Sequence, residues 1–66
     1  MSFQEKLIYV RATLNLTQTE LANELKVSFP TISRWENGKS NPTKKALVIF
    51  ANFCRKHNIR WDDSDE

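Results

Sequence analysis

The sequence predicts an all-α fold, a compact bundle of four to five short helices, and three observations lead there. Apolar residues recur at spacings of three and four, and no run alternates apolar with polar as a half-buried strand would. No Asn-Gly or Asp-Gly turn joins two strand-like segments. The 66 residues allow one domain and no second core.

The first helix is marked by Phe3, Leu7, Val10 and Leu14, with Gln4, Glu5, Lys6 and Thr13 on the opposite face and Ser2 placed to cap it. Thr17-Gln18-Thr19-Glu20 has the capping-box pattern, so a second helix starts there, with Leu21, Ala22 and Leu25 on one face. It must end soon, because Val27-Ser28 supplies a new cap just before Phe29 and Pro30. In the third helix, over about 28–37, Pro30 is harmless in the first turn, where its missing amide hydrogen has no helical partner. Ile32 and Trp35 face inward, and Asn37-Gly38 stops the helix with the only glycine of the chain. After the polar loop Lys39 to Asn41, Pro42 and Thr43 open a fourth helix running to about His57 or Asn58. Its apolar arc is wide: Leu47, Phe50, Ala51 and Cys54 make one stripe, and Ala46, Ile49 and Phe53 extend it sideways. Two readings of that flank stand. Ile59 and Trp61 fold back over it, or Ile49, Phe53, Ile59 and Trp61 form a homodimer interface.

Composition narrows the function classes. Hydrophobic residues make up 39% and charged residues 27%, values of a chain that folds. A single cysteine, Cys54, excludes an internal disulfide and fits a reducing cytoplasm. The amino terminus has no apolar run, and the stretch Ala46 to Ala51 is too short to span a bilayer, so neither export nor membrane insertion is expected. The net charge is only +2, but it is segregated. All ten Lys and Arg lie within residues 1–60, where the acids are Glu5, Glu20, Glu24 and Glu36; Asp62, Asp63, Asp65 and Glu66 close the chain. Residues 1–61 thus read as the domain and 62–66 as a disordered acidic tail. A basic body points to a polyanionic partner, although charge alone fits a solvated surface with a frayed acidic end better.

Two short helices joined by a turn of three or four residues form the unit that sets its second helix in the DNA major groove. The residues at this unit resemble a known family. Leu16-Thr17-Gln18, Glu20-Leu21-Ala22, Val27-Ser28, the run Thr31-Ile32-Ser33-Arg34-Trp35-Glu36-Asn37-Gly38-Lys39, and Pro42 are similar to the XRE group of lambda-repressor and Cro-like regulators, over roughly residues 3–54. The resemblance implies sequence-specific binding of double-stranded DNA as a repressor-like transcriptional regulator. The helix from Ser28 would be the recognition helix.

Mapped onto this chain, the resemblance implies a DNA-binding set of Gln18, Ser28, Phe29, Pro30, Thr31, Ser33, Arg34, Asn37, Lys39, Asn41 and Lys44. Gln18 reaches a phosphate or merely caps its helix. Arg34 is the sharpest base reader, since its planar fork pairs with guanine O6 and N7; otherwise it is a surface arginine. Thr31 and Ser33 suit bases or phosphates, and Lys39 and Asn41 lie where the family's loop meets the DNA backbone. Lys44 and Lys45 open a helix whose dipole disfavours them, a conflict that a phosphate would relieve. Arg11 and Glu36 occupy the places of the family's ion pair between helix 1 and the end of helix 3.

Three departures bear on this mapping. Lys26 stands where a small residue or glycine is usual in the turn. Phe29 and Pro30 replace polar residues at the head of the recognition helix, leaving thymine methyls or sugar as their contacts. The chain also ends soon after the fourth helix, so a fifth is short, absent or replaced by an extended Ile59-Arg60-Trp61 segment.

Catalysis finds no support. His57 has no carboxylate partner evident in sequence, one glycine makes no phosphate loop, and no cofactor motif is present. Cys54 and His57 lie one turn apart, but structural zinc needs four ligands, so a core cysteine and a surface histidine are expected and no metal. The competing reading is a protein-interaction module, such as an antitoxin or restriction-controller component, acting through the flank of the fourth helix.

Overall fold

The structure, a computed structural model, describes residues 1–61; the acidic tail expected at 62–66 lies outside the described residues. Four helices follow in order: α1 (Phe3–Leu14), α2 (Gln18–Leu25), α3 (Phe29–Glu36) and α4 (Lys44–Lys56). Among the described residues there is no strand, and residues 59–61 form no fifth helix.

Each helix begins at a hydroxyl. Ser2, Thr17, Ser28 and Thr43 have extended backbones, and each side-chain oxygen accepts the amide three residues on. The box at Thr17 is complete: the Glu20 amide donates to Thr17 Oγ1 at 3.0 Å, and the Thr17 amide donates to Glu20 Oε1 at 2.8 Å. Ser2 and Glu5 form a second box.

Each helix also ends alike. Asn15, Lys26, Gly38 and Asn58 take left-handed backbones with φ of 57, 60, 71 and 59°. The next amide then returns to a carbonyl five residues back: Leu16 to Arg11, Val27 to Ala22, Lys39 to Arg34 and Ile59 to Cys54, at 2.8–3.0 Å. This is the Schellman arrangement, which satisfies carbonyls that a helix end leaves open.

α3 packs against α1 and α2, and α4 packs against α2. Between them lie Leu7, Val10, Leu21, Ala22, Leu25, Ile32, Trp35, Phe50, Phe53 and Cys54. The Phe3 ring meets Trp35 and Phe50 edge-on, with centroids 5.3 and 5.2 Å away.

α4 is rotated from the expected phase. Phe53 is only 7% exposed, and Ala46 and Ile49 pack against the core, whereas Leu47 and Ala51, expected in the buried stripe, are exposed. Of the two readings of this flank, the fold-back within the chain is the one the structure shows. Ile59 and Trp61 pack over it within the same chain, with Trp61 stacked on Phe50 at 6.4 Å, edge-on to Tyr9 at 5.5 Å and beneath the Lys6 ammonium at 5.3 Å. This geometry withdraws Phe53 from any dimer surface and leaves Leu47 and Val48 as the large apolar residues that α4 exposes.

Candidate nucleic-acid interface

Three residues, Lys26 to Ser28, join α2 to α3, and the burial of Ile32 and Trp35 fixes which side of α3 faces outward. Phe29, Pro30, Arg34 and Asn37 are exposed along that side, with Thr31 and Ser33 half-buried beside them. The Arg34 side chain makes no hydrogen bond or ion pair among the described residues, so its guanidinium is available to a base edge. The smaller polar groups are partly occupied. Ser28 Oγ accepts the Thr31 amide at 3.3 Å and shares a bond with Thr31 Oγ1 at 2.9 Å, and Asn37 Nδ2 donates to Ser33 Oγ at 3.4 Å.

A buried ionic knot holds the far end of α3. Glu36 is 8% exposed, and both its oxygens accept from Arg11, Nε to Oε2 at 2.7 Å and Nη2 to Oε1 at 3.0 Å. Arg11 Nη1 also donates to the Leu16 carbonyl at 3.3 Å. Gln18 Nε2 donates to Glu36 Oε1 at 2.8 Å, so the side chain expected at a phosphate is turned inward to the carboxylate. The knot ties α1, the loop after it, the start of α2 and the end of α3 together.

Turning Gln18 inward leaves backbone amides at the start of α2. Thr17 caps Glu20, and the Leu21 amide bonds the Thr17 carbonyl, but the Gln18 and Thr19 amides have no acceptor among the described residues. A helix start of this kind attracts an anion. An open groove of about 600 Å³ lies here, and Gln18, Thr19 and Phe29 are among the residues that line it. Thr19 was missed by the sequence reading; its signal was its place two residues after the capping Thr17, where an amide has no helical partner.

Beyond α3, Gly38 sits against α1: a Cβ there would lie 3.1 Å from Gln4 Oε1. Lys39, Asn41 and Lys44 are exposed through the following loop and the first turn of α4. The first turn of α4 carries no acid to balance Lys44 and Lys45.

Among the described residues no group of three or more His, Cys, Asp or Glu gathers around Cys54 and His57. His57 packs on the Phe53 ring at 4.5 Å, and burial pushes the Cys54 thiol up to about 11 against the opposing pull of Lys6. No helix among the described residues is long and apolar enough to cross a membrane.

Comparison with known proteins agrees with this arrangement. A family model described as helix-turn-helix matches residues 7–57. The chain is 45% identical over 53 residues to the HTH-type transcriptional activator BcrR of Enterococcus faecalis, covering 80% of this chain and 26% of that one. It is 35% identical over 68 residues to the HTH-type transcriptional regulator DicA of Escherichia coli, covering all of this chain and 50% of that one. It is 46% identical over 50 residues to an uncharacterized HTH-type transcriptional regulator of Methanocaldococcus jannaschii, covering 76% of each. The chain thus spans a quarter and a half of the lengths of BcrR and DicA. No solved structure matches it. With the capped helix pair, its short turn and a family match over most of its length, the chain belongs to the XRE-type helix-turn-helix family.

Proposed function

We propose that this chain reads duplex DNA sequence-specifically and regulates transcription, laying α3 in the major groove. The observation that carries the reading is the unpartnered Arg34 on the outer side of a helix whose inner side and far end are fixed by the core and the Glu36 knot. A rigid support matters because base readout needs the fork of Arg34 held in place before the DNA arrives. The Gln18 and Thr19 amides suit one phosphate, and Lys39, Asn41 and Lys44 suit the backbone on the other side of the groove. Ser33 and Asn37 add polar contacts beside Arg34. The names of BcrR and DicA, both transcriptional regulators, support the same function. It is binding rather than catalysis. The interaction-module reading loses ground because Ile49 and Phe53, its proposed contacts, pack into the chain's own core.

Homodimeric binding is part of the proposal, with half-sites about one helical turn, roughly 34 Å, apart. The test is binding to a selected duplex and to random duplex at two salt concentrations. Binding should weaken steeply with salt. Arg34→Ala should lower affinity for the selected site about tenfold, while hardly changing affinity for random DNA. No binding at low salt would overturn the reading.

A further inference from the structure

We infer that the head of α3 reads the 5-methyl group of a pyrimidine, so that binding distinguishes thymine from uracil, and 5-methylcytosine from cytosine, at one place in each half-site. The inference rests on the DNA-reading function proposed above and assigns a specificity-determining role to Phe29.

Phe29 is the first residue of α3 and is 49% exposed, a large apolar ring left at the surface of a protein that buries its other three phenylalanines better. Pro30 beside it has no amide hydrogen, so it offers no backbone donor there. The flanking hydroxyls are engaged with each other at 2.9 Å, and Ser28 Oγ also accepts the Thr31 amide. Apart from the Phe29 amide and one hydroxyl hydrogen of the Ser28–Thr31 pair, what this end of the recognition helix presents is carbon. Base edges in the major groove are hydrogen-bonding groups with one apolar exception, the methyl at C5 of thymine. Pressing a phenyl ring onto any of the others strips water from a polar atom without replacing its bond. The methyl is the edge it fits.

The groove beside Phe29 gives the place. Gln18 and Thr19, whose amides have no acceptor among the described residues, line the same groove as Phe29. Phe29 and Arg34 are five residues apart, about 7.5 Å along a helix, which corresponds to about two base pairs. The methyl-bearing base then lies about two pairs from the guanine read by Arg34. Cytosine methylation at that place becomes a signal to which the protein responds.

The test starts from a duplex selected from a random library by the wild-type chain. Each thymine is replaced in turn by deoxyuridine, and dissociation constants are measured for wild type and Phe29→Ala. The expected result is one thymine per half-site, about two pairs from the guanine lost to Arg34→Ala, where removing the methyl weakens wild type about three- to fivefold. Phe29→Ala should bind the thymine and uracil duplexes equally. Changing that pair to C·G should weaken wild-type binding, and methylating the cytosine at C5 should restore most of it. Uracil tolerated at every position, or an unchanged uracil penalty in Phe29→Ala with its helical circular dichroism intact, would overturn the inference while leaving DNA reading in place. A library that yields no bound sequence would overturn both.

Discussion

Glu36 is a carboxylate taken almost wholly out of water, and the two Arg11 donors and one Gln18 donor stand in for its lost hydration. Such a pair adds little over a well-packed apolar substitute, but removing one partner leaves the other stranded. Arg11→Ala should therefore lower the unfolding free energy by about 3 kcal/mol in a urea titration, and simultaneous replacement of Arg11 and Glu36 by Ala should cost less than the sum of the single changes. Cys54 gives a pH dependence. The folded thiol keeps its proton to about pH 11, whereas an ordinary thiol releases it near 9.0. The group therefore favours the folded state below pH 9, and its contribution is lost as pH rises from 9 to 11. Wild type should lose more stability over that interval than Cys54→Ala, as read by denaturant midpoints at each pH. Of the residue-level reading, the Arg11 and Glu36 positions were legible because their types and spacing resemble a family. The inward turn of Gln18 was not, because sequence does not say which of two nearby anions, a carboxylate or a phosphate, an amide will choose.

At the level of helices, every start was legible, and so were the stops at Asn37-Gly38 and at about His57 or Asn58. A start is written in side chains: Ser2, Thr17, Ser28 and Thr43 each place a hydroxyl where free amides need one. A stop is made by backbone, and of the four left-handed residues Asn15 and Lys26 were not read as such from the sequence. Asn15 and Asn58 tolerate the conformation through their short polar side chains, but Lys26 has no such relief. Lys26→Gly should raise stability by about 0.5–1 kcal/mol in thermal or urea unfolding, since the relief of a left-handed lysine exceeds the added freedom of the unfolded glycine. An unchanged or lower stability would mean that the lysine side chain holds the turn by contacts that outweigh its backbone. The phase of α4 was also illegible. With apolar residues around most of its girth, periodicity allowed several buried arcs, and the edge-on stack of Phe3, Trp35 and Phe50 selected one.

At the level of the whole molecule, the all-α class was legible because every segment showed the same period, and a fold of this size has few ways to bury four amphipathic helices. Its dimensions constrain how two copies would share a DNA site in the homodimeric binding proposed above. The backbone extends 31 × 22 × 20 Å. Half-sites about 34 Å apart let neighbours touch only where their long axes point toward each other; otherwise a gap remains that the DNA alone bridges. The capping described for every helix has a kinetic consequence. Each segment carries both its own start and its own stop, so the chain can settle helix boundaries locally before distant parts meet. Proteins built mainly from such local contacts fold in microseconds to milliseconds. Relaxation after a temperature jump should fall in that range, and a phase lasting seconds would contradict it. On the proposed function, the chain would regain its DNA-reading shape faster than a ribosome adds its next residue.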